Sequence, residues 1–485
     1  VVFSSYLFLF GFLPLALLLY FAAPRRARNL VLTLVSYLFY GWTNPAFCLL
    51  LLLSTTIDWI CGLVIAGVSP LSAGPDPAPL LVGGPRSRRQ RAALVTSIVS
   101  NLSILGFFKY FDFAVGSWNG LAAALGAPGA AIETALRVTL PLGISFYTFQ
   151  SMSYAIDVWR GHARPMKSFV DFACFVSMFP QLVAGPIVRF SEVAEQLRER
   201  RHTLARAARG VAFLSVGLAK KVLLANPCGK LADTVFDAAG AGVLDAWTGL
   251  LAYSFQIYFD FSGYSDMAIG LGLLFGFVFP KNFDSPYRAT SITDFWRRWH
   301  LSLSTFLRDY LYVPLGGNRR GGARTYANLA IVMLLGGLWH GASWNFVLWG
   351  GIHGALLAGE RAIGVERLWG RLPAALRTAG VFLLVSLAWV PFRAADFAAT
   401  ADYFARLVGL AAVPAEAALL AGLLHTPFLL LSLGAAALVV WAGAPSWTWT
   451  RELTPLRTAT ASLLLALAVA ALATQKFNPF IYFIF

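Results

Sequence analysis

Apolar residues run through this chain in long uninterrupted blocks rather than in alternation. Residues 3–22 (FSSYLFLFGFLPLALLLYFA) and 46–67 (AFCLLLLLSTTIDWICGLVIAG) are the clearest cases, and each suits the ~20-residue length of a spanning helix. Strands of a membrane barrel would read as ~10-residue stretches alternating apolar and polar. A bilayer core offers no water to backbone amides, so only bundled helices or closed barrels cross it. The pattern therefore predicts an all-α, polytopic membrane protein. Further spans are expected near residues 29–42, 93–114, 137–158, 210–226, 243–262, 264–280, 325–341, 344–360, 376–392, 407–424, 426–442 and 459–474. With re-entrant segments this amounts to about 11–13 crossings. The opening run has no basic residue before it and no small-residue cleavage site after it, which predicts a retained first span rather than a signal peptide.

Composition narrows the class further. Hydrophobic residues make up 58% and charged residues 13% of the 485, roughly half the ~25% charge of a soluble domain. That excludes a water-soluble enzyme, a disordered chain and a secreted disulfide scaffold. The four cysteines, Cys48, Cys61, Cys174 and Cys228, form no C-x-x-C pair and read as membrane core. The net charge of +15 is concentrated in Arg25, Arg26 and Arg28, in Arg86, Arg88, Arg89 and Arg91, in Arg160, Arg164 and Lys167, and in residues 198–209. Lys and Arg collect in cytoplasmic loops, so these segments predict an inside face with the N-terminus outside. Nucleic-acid binding is not expected; attraction of anionic lipid headgroups is the weaker second reading of the same charge. Between two basic segments lies residues 169–190, interrupted by Pro180, Gly185 and Pro186, which predicts a broken, re-entrant segment buried in protein.

Ionisable groups inside spans are costly and usually face a cavity or a partner. From Thr325 to Gly359 there is no Asp, Glu, Lys or Arg, yet His340 sits in GGLWHGASWNFVLWGG. Two spans with a tight break near Gly341-Ala342-Ser343 are expected, and at ~1.5 Å per helical residue His340 lies roughly 24 Å along the axis from Arg324. Two readings of this imidazole stand: a ring bonded to a neighbouring helix for packing, or a neutral base for a hydroxyl substrate, walled by Trp339, Trp344 and Asn345. For His353, between Gly351 and Gly354, packing is favoured.

A second cluster is SITDFWRRWHLSLSTFLRDYLYVPLGG, residues 291–317. Ile292, Phe295, Trp296, Trp299, Leu303, Phe306, Leu307 and Tyr310 recur at helical spacing, which predicts one amphipathic helix. It is either a membrane-surface anchor or a cationic cradle, with Arg297, Arg298 and Arg308 toward a phosphate-bearing donor and His300 facing a reaction chamber. The glycine-rich run 316–322 reads as a cytosolic turn. A third cluster, residues 254–277, holds Asp260 and Asp266 in apolar sequence. Both carboxylates need partners or water, and a proton or ion pathway is the alternative function they allow. Asp58 is a further intramembrane carboxylate, and Lys109/Asp112 and Asp157/Arg160 are spaced to neutralise each other. A G-x-S-x-G elbow, an H-E-x-x-H zinc motif and a Walker loop are absent from the sequence. A serine nucleophile, a zinc site of that type and an intrinsic nucleotide motor are therefore not expected.

Taken together, PLGISFYTFQSMSYAIDVWRG (141–161), MFPQLVAGPIVRF (178–190), IYFDFSGYSDMAIGLGLLFGF (257–277), NFDSPYRATSITDFWRRWHLSLSTFLRDYLYVPLGGNRRG (282–321) and LLGGLWHGASWNFVLWGGIHG (334–354) resemble the membrane-bound O-acyltransferase superfamily, and particularly its bacterial alginate O-acetylation branch. The resemblance implies one integral membrane acyltransferase domain over 1–485, with a motif-bearing core at 140–355 and accessory spans at 365–485. It implies helices ringed around a thinned centre where a donor tunnel meets an opening on the other face. The family's W-H-G histidine carries over to His340 and its W-R-R-W-H position to His300. Arg297, Arg298, Trp299, Trp339, Trp344, Asn345, Asp260 and Tyr264 are the candidate substrate-binding residues. No metal and no bound cofactor are expected; acetyl-CoA or another cytoplasmic acyl thioester is the implied donor. Implied partners are an extracytoplasmic polysaccharide O-acetyltransferase and polymer-export proteins, at the inner membrane of a bacterium. D-alanyl transfer to teichoic acid by the same fold is the nearest alternative, and a non-enzymatic transporter or export scaffold the other.

Overall fold

The computed structural model describes residues 2–479 apart from 73, 135, 416 and 476, and among these it contains helices and connecting loops with no strand. Among the described residues five helices are long and apolar enough to cross a membrane: Ala46–Ala66, Arg88–Ala124, Leu204–Phe236, Ala374–Arg393 and Pro455–Thr474; two shorter apolar helices are Leu7–Ala22 and Pro427–Ala442. Large apolar side chains such as Leu18, Leu49, Leu431 and Leu463 are exposed on them, as lipid-facing positions must be. This is a polytopic all-α membrane protein.

Two expected boundaries are corrected. Residues 243–262 and 264–280 are not two spans, because Val243–Leu274 is one continuous helix. Gly263 does not break it. A Cβ there would lie 2.8 Å from the Gly217 carbonyl oxygen, and one on Gly217 would lie 2.5 Å from the Gly263 carbonyl oxygen, so the two glycines serve close helix approach instead of a turn. Residues 407–424 are not one span either. The helix Phe397–Leu407 ends ahead of Gly409, which takes a left-handed φ of 75°, and the chain turns helical again only at Ala417–Leu424.

The chain forms two compact units. The first comprises Val1–Val211 with Ala268–Pro280. In it Asp58, fully buried, accepts hydrogen bonds from Ser97 Oγ at 2.5 Å, Asn101 Nδ2 at 2.7 Å and Ser151 Oγ, which ties Ala46–Ala66 to Arg88–Ala124 and Ile144–Arg160. The segment expected to be re-entrant is broken as predicted: Phe169–Ser177 stops at Met178, whose backbone leaves helical geometry, and Phe179–Leu182 follows. Residues 172–188 are all buried. Non-helical backbone at depth needs internal partners; Ser36 Oγ accepts from the Phe179 N–H at 3.0 Å and Gln181 Nε2 donates to the Phe175 carbonyl at 2.5 Å.

The second unit comprises Ala212–Met267 and Lys281–Phe485. Its central feature is the hairpin of Gly322–His340 and Trp344–Ile363, broken at 341–343 as expected. A Cβ on Gly337 would lie 2.1 Å from the Phe346 carbonyl oxygen, one on Gly341 2.0 Å from the Phe346 ring, and one on Gly350 2.3 Å from the Met333 carbonyl oxygen. Only glycine permits that approach, and it sets the position of His340 at the end of the first arm.

Candidate active site

His340 is the last residue of its helix and is 7% exposed. Its ring is enclosed by Trp339 at 5.0 Å, Trp349 at 5.1 Å and Phe392 at 5.3 Å between centroids. The imidazole lines a cavity of about 470 Å³ whose wall also includes Trp296, Arg297, Ser304, Arg308, Tyr312 and Met333. Its mainly apolar lining thus combines the buried imidazole with the guanidinium of Arg297 and that of Arg308, which Asp309 pairs at 2.6 Å. A ligand with an anionic head and a mainly apolar body matches that polarity.

The segment 291–317 corrects the expectation of one amphipathic helix. It is Ile292–Trp296, a tight turn, Leu301–Leu307 and a π-helical turn Arg308–Tyr312. The apolar stripe is nonetheless the inner face: Ile292, Phe295, Trp299, Leu303 and Phe306 are buried. The break falls at His300, which has φ 44° and ψ 55°, a left-handed conformation that is uncommon for a residue with a Cβ and is often tied to function. Glu360 holds the segment in place. Its buried carboxylate accepts from the Ile292 N–H at 2.6 Å, the Thr293 N–H at 2.9 Å, Thr293 Oγ1 at 2.8 Å and Trp369 Nε1 at 2.7 Å. The strained turn therefore sits beside a helix anchored by a buried anion at its N-terminus.

His300 is fully buried, 6.5 Å from the His340 ring and 5.9 Å from Trp339 between centroids, with Phe261 against it edge-on at 4.5 Å. Its tautomer follows from Asn282. The Ser302 N–H donates to Asn282 Oδ1 at 3.2 Å and Ser302 Oγ donates to the same atom at 2.9 Å, so that atom is an acceptor. His300 Nδ1, 3.2 Å from it, must carry the hydrogen. Nε2 is then left with its lone pair, and it has no hydrogen-bond partner among the described residues.

The remaining candidates are distributed unevenly. Arg297 lines the cavity. Trp339 packs beside both histidines. Trp299 is a core residue, packed on Phe295, Phe283 and Trp389. Five further candidates lie outside the cavity wall. Arg298 is engaged by Asp294 at 2.9 Å rather than turned to a donor. Trp344 is 55% exposed, and Asn345 donates to the Ala394 carbonyl at 2.7 Å, so the wall beside His340 is Trp349 and Phe392 instead. Asp260 pairs with Lys221 at 2.7 Å, both almost fully buried. Tyr264 is 1% exposed and outside the cavity wall. Asp266 likewise pairs with Lys220 and accepts from Ser446 Oγ, each at 2.7 Å. Sequence reading missed both lysines, Glu360 and Asn282; consecutive Lys220-Lys221 inside an apolar span was the available signal. His353, fully buried, is ringed by Phe295, Trp296, Trp349 and Trp389, the packing role expected of it. Among the described residues no group of three or more His, Cys, Asp or Glu is arranged to hold a metal ion.

Residues 143–365 match the family model of the membrane-bound O-acyltransferases. The chain is 46% identical to a probable alginate O-acetylase of Azotobacter vinelandii, over 81% of this chain and 75% of that one. It is 38% identical to a peptidoglycan O-acetyltransferase of Helicobacter pylori, over 84% of this chain and 80% of that one. To a teichoic acid D-alanyltransferase of Streptococcus thermophilus it is 31% identical, over 44% of this chain and 55% of that one.

Proposed function

From the premise that this chain belongs to the membrane-bound O-acyltransferase family and is an acyltransferase, we propose that it passes an acetyl group from a cytoplasmic thioester, across or within the membrane, toward O-acetylation of an extracellular polysaccharide such as alginate. The observation that carries this reading is the cavity that joins His340 to Arg297 and Arg308. The thioester's phosphate-bearing end lies toward Arg297, which has no carboxylate partner among the described residues, and its acyl carbon near His340. A nitrogen of His340 takes the proton of the acceptor hydroxyl as that oxygen attacks the thioester carbonyl. The C–S bond then breaks and the thiolate takes the proton, leaving ester and thiol. General-base help of this kind is worth ~10²–10⁴-fold, and alignment of both reactants in a site screened from water adds to it. His300, oriented by Asn282 and 6.5 Å from the His340 ring, is not part of the wall of this cavity and is assigned a shaping role beside His340. The likeness to an alginate O-acetylase and a peptidoglycan O-acetyltransferase supports acetyl as the group and a polysaccharide as the acceptor. The D-alanyltransferase likeness covers much less of the chain and makes D-alanyl transfer the second reading.

The protein would work at a bacterial inner membrane with an extracytoplasmic O-acetyltransferase and export proteins as partners. Mass analysis of extracellular polymer from cells carrying the wild-type chain or His340→Ala tests the proposal. Ester is expected in the first and not in the second, with equal insertion of both in the membrane. Full acetylation by an inserted, folded His340→Ala protein would overturn it. Purified protein that consumes only carrier-bound D-alanine, and no acetyl thioester, would move the assignment to the second reading.

A further inference from the structure

Two basic loops that acyl transfer does not use meet in the first unit. Residues 24–28 and 198–203 enclose a cleft of about 860 Å³ into which Arg25, Arg26, Arg28, Arg200 and Arg201 contribute, with Asp171 and Glu199 as the carboxylates in its wall. A sixth arginine, Arg198, is already neutralised by Asp76 at 2.8 Å and Glu195 at 2.9 Å. The other five have no carboxylate partner among the described residues, and Asp171 is taken by Asn29.

Two of these charges, Arg28 and Arg200, are built into the protein rather than trailing in water. Arg200 gives its donors to three neutral acceptors, Tyr20 Oη at 3.1 Å, the Gln196 carbonyl at 3.1 Å and Asn29 Oδ1 at 2.6 Å. That fixes its direction without cancelling its charge. The Arg28 guanidinium lies 5.3 Å from the centroid of the buried Tyr20 ring and that of Arg200 5.8 Å from the same centroid. Arg28 Nε is shielded from water and lacks a hydrogen-bond partner among the described residues. Burial, and then the charges of Arg28 and Arg200, hold the His202 imidazole below its ordinary pKa, as a region of uncompensated positive potential should. Holding like charges over one aromatic ring costs free energy that a bound anion offsets.

The apolar surroundings of the cleft define which anion. Arg25 follows directly on Leu7–Ala22, whose Leu18, Leu19 and Phe21 are 67%, 44% and 48% exposed, and Leu204, just past the second loop, is 87% exposed. A soluble phosphate has no use for such a margin, whereas a phospholipid does. We propose that this cleft binds the phosphate headgroup of an anionic phospholipid, with the acyl chains along the exposed apolar face of Leu7–Ala22.

Native mass spectrometry of the full chain in a neutral maltoside detergent, titrated with dioleoylphosphatidylglycerol or dioleoylphosphatidylcholine, tests this. Wild type should retain one phosphatidylglycerol in preference to phosphatidylcholine. Arg25→Ala/Arg26→Ala/Arg201→Ala, which removes three exposed charges and no mapped structural bond, should weaken that binding on the order of 100-fold. The control Arg88→Ala/Arg89→Ala/Arg91→Ala removes as much charge from another loop and should retain the lipid. Equal uptake of the two lipids, equal loss in the control, or displacement of phosphatidylglycerol by millimolar inorganic pyrophosphate would each overturn the proposal.

Discussion

His300 is held where a β-carbon is disfavoured, and the imidazole is aimed by one amide oxygen. Left-handed backbone of this kind costs on the order of 1–3 kcal/mol, and Asn tolerates it better than most residues. His300→Asn is therefore expected to fold with stability close to wild type while acylation falls, a combination that separates chemistry from packing; equal turnover would remove His300 from the reaction. Asn282→Leu tests the aim of the ring. It leaves the Ser302 N–H and His300 Nδ1 without their common acceptor, so the ring is free to turn. A misplacement of about 1 Å costs ~10²-fold in rate, and the loss should fall on kcat with the KM for the thioester little changed. His353 offers the contrast. Its ring sits in an aromatic box outside the cavity wall, so His353→Phe should acylate within about threefold of wild type.

The helical hairpin decides how accurately His340 is presented, and its glycines are unequal. At Gly337 a Cβ meets a backbone oxygen at 2.1 Å, whereas at Gly359, in the facing arm, it meets nothing within 4 Å. Backbone cannot swing aside as a flexible side chain can. Gly337→Ala is expected to lower stability by ~1–3 kcal/mol and to reduce acylation with it, because the arms must separate within one helical turn of His340. Gly359→Ala should be neutral or gain ~0.5–1 kcal/mol from helix propensity. Thermal unfolding and acylation assays on the pair read both effects, and equal melting temperatures for the two variants would contradict the packing argument. Glu360 acts on the neighbouring element. Each donor orphaned by Glu360→Ala carries a penalty of ~1–3 kcal/mol, so this variant should unfold far more readily than Glu360→Gln, which keeps one acceptor oxygen.

Across the molecule, what could be read from the sequence was what depends on runs of residues near one another in the chain. Helical class, the break after His340 and the buried discontinuity at Met178, just ahead of Pro180, follow from apolar length and from residues that end helices. The fusion of 243–274 into one helix did not, because Gly263 is a turn signal until the backbone of Gly217 is seen against it. The same limit hid the partners of Asp260 and Asp266. A carboxylate in an apolar span reads equally as an ion path or as half of a pair, and its lysine lies some 40 residues away in the chain. The Lys221–Asp260 pair, 2% and 1% exposed, decides between these on physical grounds. Breaking a buried pair from one side strands a charge and costs ~3–5 kcal/mol, whereas replacing both members with apolar residues is often neutral or stabilising. Lys221→Met and Asp260→Leu are each expected to unfold at markedly lower temperature, and the double variant to recover most of the loss together with acylation. An ion path would behave otherwise: the double variant would be stable and inactive, because a conducting carboxylate has no apolar substitute.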